Sequence, residues 1–183
     1  MDSVQWTMLG ICSVLFFWAL GAYNRLQRLR NQIARAADQI EESVCRRDEL
    51  LAGFLTLLKP AAHPSIERTT MEAVDAAGSA ILAAAESLKE RPVDPALSAR
   101  VAVAEVGLQS VLSLVIEQVE QDPALRLSPG MLERLAGISE AERRLRFGRQ
   151  VYNDAVKVYN AALMQWPTRL LRRLFDLREA AAI

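Results

Sequence analysis

Apolar residues run from position 4 to position 22 (VQWTMLGICSVLFFWALGA) without a charge among them, and beyond it they recur in steps of three, four and seven. An α-helix of about 19 residues, rising roughly 1.5 Å per residue, matches the hydrocarbon thickness of a bilayer. Residues 1–23 are therefore expected to form a transmembrane anchor. After it, Leu26, Leu29, Ile33, Ala37, Ile40, Val44, Leu51, Leu55 and Leu58 make one stripe, the pattern of a helix that buries a single face. Near the other end Leu145, Tyr152, Tyr159 and Trp166 fall seven apart, with Ala155, Val156, Ala162 and Leu163 on the same side, a coiled-coil-like spacing that predicts core. Between them Val101, Val103, Val106, Leu108, Val111, Leu112, Leu114, Val115 and Ile116 are dense enough to predict a helix buried on several sides. No segment alternates with the period of two that marks a half-buried strand.

Proline divides the chain, because inside a helix it removes a hydrogen bond and clashes with the preceding turn. The seven prolines cluster at 60 and 64, 92 and 95, 123 and 129, and 167. The stretches between them predict helices over 24–58 (continuous with the span), 64–90, 95–121 and 129–166, with a short helix after Pro167. Asp94 before Pro95 and Ser128 before Pro129 read as N-caps followed by first-turn prolines. Short connections favour antiparallel neighbours. The expected fold is all-α: an N-terminal transmembrane helix, an antiparallel four-helix up-and-down bundle over 24–166, and a basic amphipathic helix over 167–183.

Charge sets the orientation. Arg25, Arg28, Arg30 and Arg35 follow the span before the first acid, Asp38, and this positive bias places the bulk of the chain in the cytoplasm. Trp6, Trp18 and Tyr23 fall where amphipathic rings favour the headgroup level. Nothing basic precedes the apolar run, so it reads as an uncleaved signal-anchor. Cys12 follows Ile11 rather than the small residue an acylation signal needs, and Cys45 is expected to be a reduced thiol. Overall, 22 Lys and Arg balance 22 Asp and Glu, which removes the basic field of a nucleic-acid binder. Two cysteines and one histidine, His63, are too few for a disulfide framework or a structural zinc site. The sequence contains no H-E-x-x-H, no E-x-x-H and no glycine-rich phosphate loop. No catalytic, cofactor or metal site is expected.

Three short motifs occur in order: YNRLQRLRNQI over 23–33 directly behind the span, Arg46-Arg47 with an acid and leucines after it, and VYNDAVKVYN over 151–160 followed by Trp166-Pro167. Together they resemble the LemA family across most of the chain. The resemblance implies a membrane-anchored bacterial helical bundle without known catalysis, in a family that includes a magnetosome-membrane protein and whose genes often neighbour membrane proteases. The location it implies is the bacterial inner membrane. One departure is that Ala52-Gly53 stands where the family has Pro-Asn.

The polar candidates sit on helix faces. Arg46 and Arg47 interrupt the first stripe. Either they enter the bundle as a paired, switchable polar cluster, or Glu42 and Arg46 pair on a solvated face while the stripe shifts past them. Asn24 and Asn31, and Asn153 and Asn160, are each seven apart, and antiparallel packing would set Asn31 near Asn153 and Asn24 near Asn160 as register-fixing contacts. In the tail, Leu170, Leu171, Leu174, Phe175 and Leu177 oppose Arg169, Arg172, Arg173 and Arg178. Those arginines would meet anionic lipid, or else the leucines close the bundle core. The functional class that fits is a membrane scaffold or adaptor with protein partners, a membrane protease among them. The alternative is a membrane-shaping or envelope-stress factor acting by self-association and lipid binding. An enzyme comes last.

Overall fold

The computed structural model describes residues 3–58, 68–166, 168, 169, 172 and 177–183, and every regular element among them is helical. In chain order these are α1 (Ser3–Leu58), α2 (Arg68–Glu90), α3 (Pro95–Gln121), α4 (Pro123–Arg126) and α5 (Met131–Met164). His63 and the expected helix start at Pro64 lie outside the described residues, as do Pro167, Leu170, Leu171, Arg173, Leu174 and Phe175.

No proline falls within α1, and its 56 residues form one unbroken rod, about 84 Å long at the standard rise. None of its apolar N-terminal window is buried. From Leu26 onward all nine expected stripe residues are buried, with Ala36 and Phe54 beside them. The helix lies along α5 and α2, and α2 lies along α3. Antiparallel register with α5 follows from three contacts: Gly137 against Leu50, Gly148 against Ile40, and Gln165 against Arg25. The result is a helical bundle whose core begins at Leu26, beyond the unburied apolar stretch.

Helix α3 is also long and apolar enough to cross a membrane, by length and composition. Its burial is nevertheless one-sided, not the several-sided burial its composition predicts. Leu97, Val101, Glu105, Leu108, Leu112, Val115 and Val119 face inward at steps of four or three, while Val103, Val106 and Leu114 are exposed. Close packing chiefly against α2 accounts for the difference: one backed face needs one stripe.

The start of α3 is as expected, with the Asp94 carboxylate accepting from the Ala96 N–H at 3.0 Å. The start of α5 is not. Ser128 and Pro129 form a turn in which the Met131 N–H donates to the Ser128 carbonyl at 3.2 Å, and the helix begins two residues later behind Gly130. Gly130 has φ of 82°, a left-handed conformation that glycine adopts without Cβ strain. The capping pair that the sequence reading passed over is Asp122-Pro123. Asp122 accepts from the N–H groups of Ala124 and Leu125 at 2.9 and 3.4 Å, which starts the single turn of α4 and buries Leu125. At the far end α5 stops at Met164, so Trp166 does not continue the heptad; it is 81% exposed. Of the amphipathic helix expected over 167–183, Thr168, Arg169 and Arg172 are helical, whereas residues 177–183 are not.

Because every buried α1 residue lies at or beyond Leu26, residues 24–183 without the anchor should be soluble, strongly helical and cooperative on heating. Circular dichroism through a thermal melt checks this, and a helical but non-cooperative profile would overturn it.

Candidate functional site

The apolar stripe of α1 does not shift to avoid its charges. Arg47 takes the position between Val44 and Leu51 and is 1% exposed, and Glu105 takes the matching position in the α3 seam. Arg47 Nη1 and Nη2 donate to Glu105 Oε1 and Oε2, both at 2.8 Å. Gln109 Nε2 adds a third donor to the same carboxylate at 3.1 Å. The planar guanidinium matches a carboxylate two bonds at a time, so both buried charges are satisfied. Arg46 behaves differently. It is exposed and pairs with Glu49 at 2.9 Å, neither entering the bundle nor pairing with Glu42. Asp48 leans toward α2, where a Cβ on Gly78 would come within 3.0 Å of its Oδ1. Partial burial, followed by repulsion from Asp75, raises the Asp48 pKa, and Arg47 opposes the shift.

On α5 the four residues of the two Tyr-Asn pairs divide their work. Tyr152 is buried, and its hydroxyl donates to the Pro92 carbonyl at 2.8 Å and meets Ser98 Oγ at 2.9 Å, which fastens the α2–α3 turn to α5. Tyr159 is buried too, and its hydroxyl donates to the Arg178 carbonyl at 3.2 Å. Asn160 Nδ2 donates to the Ala180 carbonyl at 2.8 Å while its Oδ1 accepts the Ala180 N–H at 3.0 Å. Asn153 repeats the pattern on Ile183, at 3.1 and 2.9 Å. The expected partners, Asn24 and Asn31, are exposed on α1. The pairing of asparagines across α1 and α5 is thus replaced by pairing of α5 with the chain's own last segment. Burial raises both tyrosine pKa values.

At the base of the bundle Arg25 Nη1 donates to Gln165 Oε1 at 3.2 Å. Trp18, Trp166 and Thr168 line a hollow of about 330 Å³ beside that contact. Of the residues expected at the membrane interface, Trp6, Arg25, Arg28 and Arg169 are exposed, Trp18 only just so, and Tyr23 is half-buried. Arg172 is engaged by Glu179 at 2.9 Å rather than pointing to solvent alone. A groove of about 810 Å³ between α1 and α5 is lined by Arg46, Glu49, Arg143, Arg144, Phe147 and Cys45. Burial, then Glu41 and its acidic neighbours, pushes the Cys45 thiol up, away from nucleophilic reactivity. Among the described residues no three His, Cys, Asp or Glu side chains gather as metal ligands would.

The LemA family model matches residues 24–183, that is, all of the chain beyond the apolar N-terminal stretch. The chain belongs to the LemA family. No curated protein matches it. Of the motifs that carry the resemblance, the paired arginines supply the buried ion pair through Arg47, and the Tyr-Asn repeat supplies the grip on 177–183. At the departure from the LemA pattern, a Cβ on Gly53 would lie 2.7 Å from Arg134 Nη1, so the glycine leaves room for the arginine against α1.

Two stability predictions follow from these contacts. Arg47→Ala strands a buried carboxylate and should cost about 3–5 kcal/mol, whereas Arg47→Leu combined with Glu105→Leu should recover most of it. Denaturant melts of the single and double variants measure the coupling, and additive losses would dissolve the pair. Asp48→Asn should raise the Tm at neutral pH. The folded state holds the Asp48 proton more tightly than the unfolded chain, so the ionised form lowers stability above the raised pKa and the loss disappears as pH falls through it. The gap between variant and parent should therefore close on acidification, and a gap that widens would reverse the assignment.

Proposed function

We propose that this protein is a membrane-tethered, non-enzymatic adaptor that presents a helical bundle to cytoplasmic and membrane proteins. The observation that supports this most directly is the continuity of α1, whose apolar N-terminal third is unburied while the remainder is the central seam of the bundle. A rod of that kind fixes the bundle's distance and tilt from a bilayer, which is what a presenting scaffold needs and a diffusing enzyme does not. The ionisable side chains support the same reading, since arginines and acids are spent in pairs along helix faces. Partners are other membrane or cytoplasmic proteins, a membrane protease being one class that the family context favours. The arginines after the span favour a single pass in the inner membrane with the bundle in the cytoplasm.

A second reading, direct contact of the base with lipid and self-association, draws on the exposure of Trp166 beside Trp18. Paired tryptophans at the exit of a span suit the headgroup layer. Engagement of Arg172 by Glu179, and the non-helical course of 177–183, reduce the basic surface available for that role.

A reporter active only in the cytoplasm, fused after Ile183, should work, and one active only outside it should be silent; the reverse pattern would overturn the orientation. Crosslinking in native membranes should capture proteins with the intact chain, and the anchorless 24–183 fragment should retain the bundle-bound subset. Capture of lipid alone would move the assignment to the second reading.

A further inference from the structure

The segment 177–183 is held in an unusual way: five hydrogen bonds from α5, every one of them to main-chain atoms. Asn153 and Asn160 each present a side-chain amide to the N–H and the main-chain oxygen of one residue, donor to acceptor and acceptor to donor. Seven residues of helix rise about 10.5 Å and three residues of extended chain span about 10 Å, so asparagines seven apart on α5 meet every third residue of an extended strand. Side chains add an ion pair of Glu179 with Arg172 at 2.9 Å and limited apolar packing. Only Ala180 is buried, at 6%, and Leu177 and Ile183 pack partly against the core. A cavity of about 400 Å³ opens beside Leu177 and Arg178, between α1 and the α2–α3 turn.

We propose that this face of α5 is a receptor for an extended peptide segment of another protein, and that residues 177–183 are its resident, displaceable occupant. The guest's chemistry is set by the contacts: an extended segment with a free N–H at two positions three apart, hence no proline at either, and a small residue such as alanine at the first. The hydrogen bonds from α5 fall on main-chain atoms and read backbone shape, while the buried Ala180 and the Glu179–Arg172 ion pair add a side-chain preference, so guests that keep a small residue at the first contact fit it. The tethered occupant competes at an effective concentration on the order of millimolar, which keeps the site closed to weak ligands. The proposal rests on the adaptor reading only in taking the guest to be part of a protein. An empty partner list would defeat that reading and leave peptide binding intact, whereas failed peptide binding would leave the tether intact.

The test uses the full chain in detergent and a fluorescent peptide of sequence LREAAAI, the sequence of residues 177–183. Ala180→Pro removes the N–H that Asn160 accepts and should free the resident segment. The freed chain should bind the peptide roughly tenfold or more tighter than the unaltered chain, because occupancy no longer competes. The double variant Asn153→Ala with Asn160→Ala also frees the segment but should bind no peptide, and LREPAAI should bind neither form. On the unaltered chain, excess LREAAAI should accelerate hydrogen exchange at the Ala180 and Ile183 amides, a measurement that needs no variant to fold. The proposal is overturned if exchange there ignores the peptide, or if Ala180→Pro frees the segment without any gain in binding. It is equally overturned if the unaltered chain is a dimer that Ala180→Pro dissociates, since the guest would then be a second copy's tail.

Discussion

A single helix runs through two regimes. Over its first third α1 is apolar on all sides and unburied; from Leu26 it is apolar on one side only, the side that packs against α5 and α2. No proline and no capping residue separates the two regimes, so the backbone hydrogen bonds run through the boundary and the bundle inherits the direction of the apolar stretch. The rest of the arrangement hangs on this. Helix α5 must run antiparallel along α1 to cover its stripe, and that brings Gln165 and Trp166 back to the level of Arg25 and Trp18. The chain beyond α5 then starts at the base of the bundle, and 177–183 reaches Asn153 only by running back along α5.

Within that frame the Arg47–Glu105 pair supplies what apolar packing lacks. Leucines and valines at heptad-like spacing fit one another in several registers that differ by one turn, and each slip costs little in buried area. A bidentate ion pair at the centre of the seam fits one register, because any slip leaves two unpaired charges in the core. A well-packed apolar pair would serve stability as well or better. The pair is therefore best understood as selecting which turn of α3 faces which turn of α1. It spans two helices that do not otherwise lie along each other, α1 and α3, and ties the outermost helix of the α5–α1–α2–α3 order to the central one.

How much of this could be read from the sequence depends on whether the signal was periodic. The α1 stripe, the boundaries of α3 and the α5 heptad positions Leu145, Tyr152 and Tyr159 were legible because burial on one face of a helix leaves a repeat of 3.5 to 3.6 residues. Trp166 carried the same spacing and was misplaced: the heptad does not say where a helix ends, and Pro167 immediately after it was the better witness. The multi-sided burial expected of α3 erred because valine density was taken for burial, although Val103 and Val106 stand off the heptad that Val101, Glu105 and Leu108 define. Asp122-Pro123 had the same form as Asp94-Pro95 and was readable as a cap. Ser128-Pro129 lost to Gly130, whose left-handed turn sets the start of α5 instead. Arg47 was legible as an anomaly in the stripe, but its partner was not, because Glu105 lies 58 positions away with no local pattern linking them.

The asparagines show why a correct spacing still left their partner open. An asparagine side chain is a copy of the peptide group, with one carbonyl acceptor and an amino donor set side by side. Seven-residue spacing places two such copies on one helix face and says that something must meet them there. It does not distinguish another asparagine from a stretch of main chain, since both offer the same pair of groups. What distinguishes them is the rest of the pair. Amide-to-amide contact between helices needs the facing helix to turn asparagine inward, and Asn24 and Asn31 lie off the Leu26, Leu29 and Ile33 stripe by the arithmetic of the helix alone. An extended strand needs only a length of about 10 Å between contacts, which three residues of almost any sequence supply. The tail beyond α5 carries alanine at the contact that must be buried and no proline over 177–183. Given one helix face that asks for peptide groups and one segment that can offer them at the right interval, the intramolecular pairing follows from geometry that the heptad had already set.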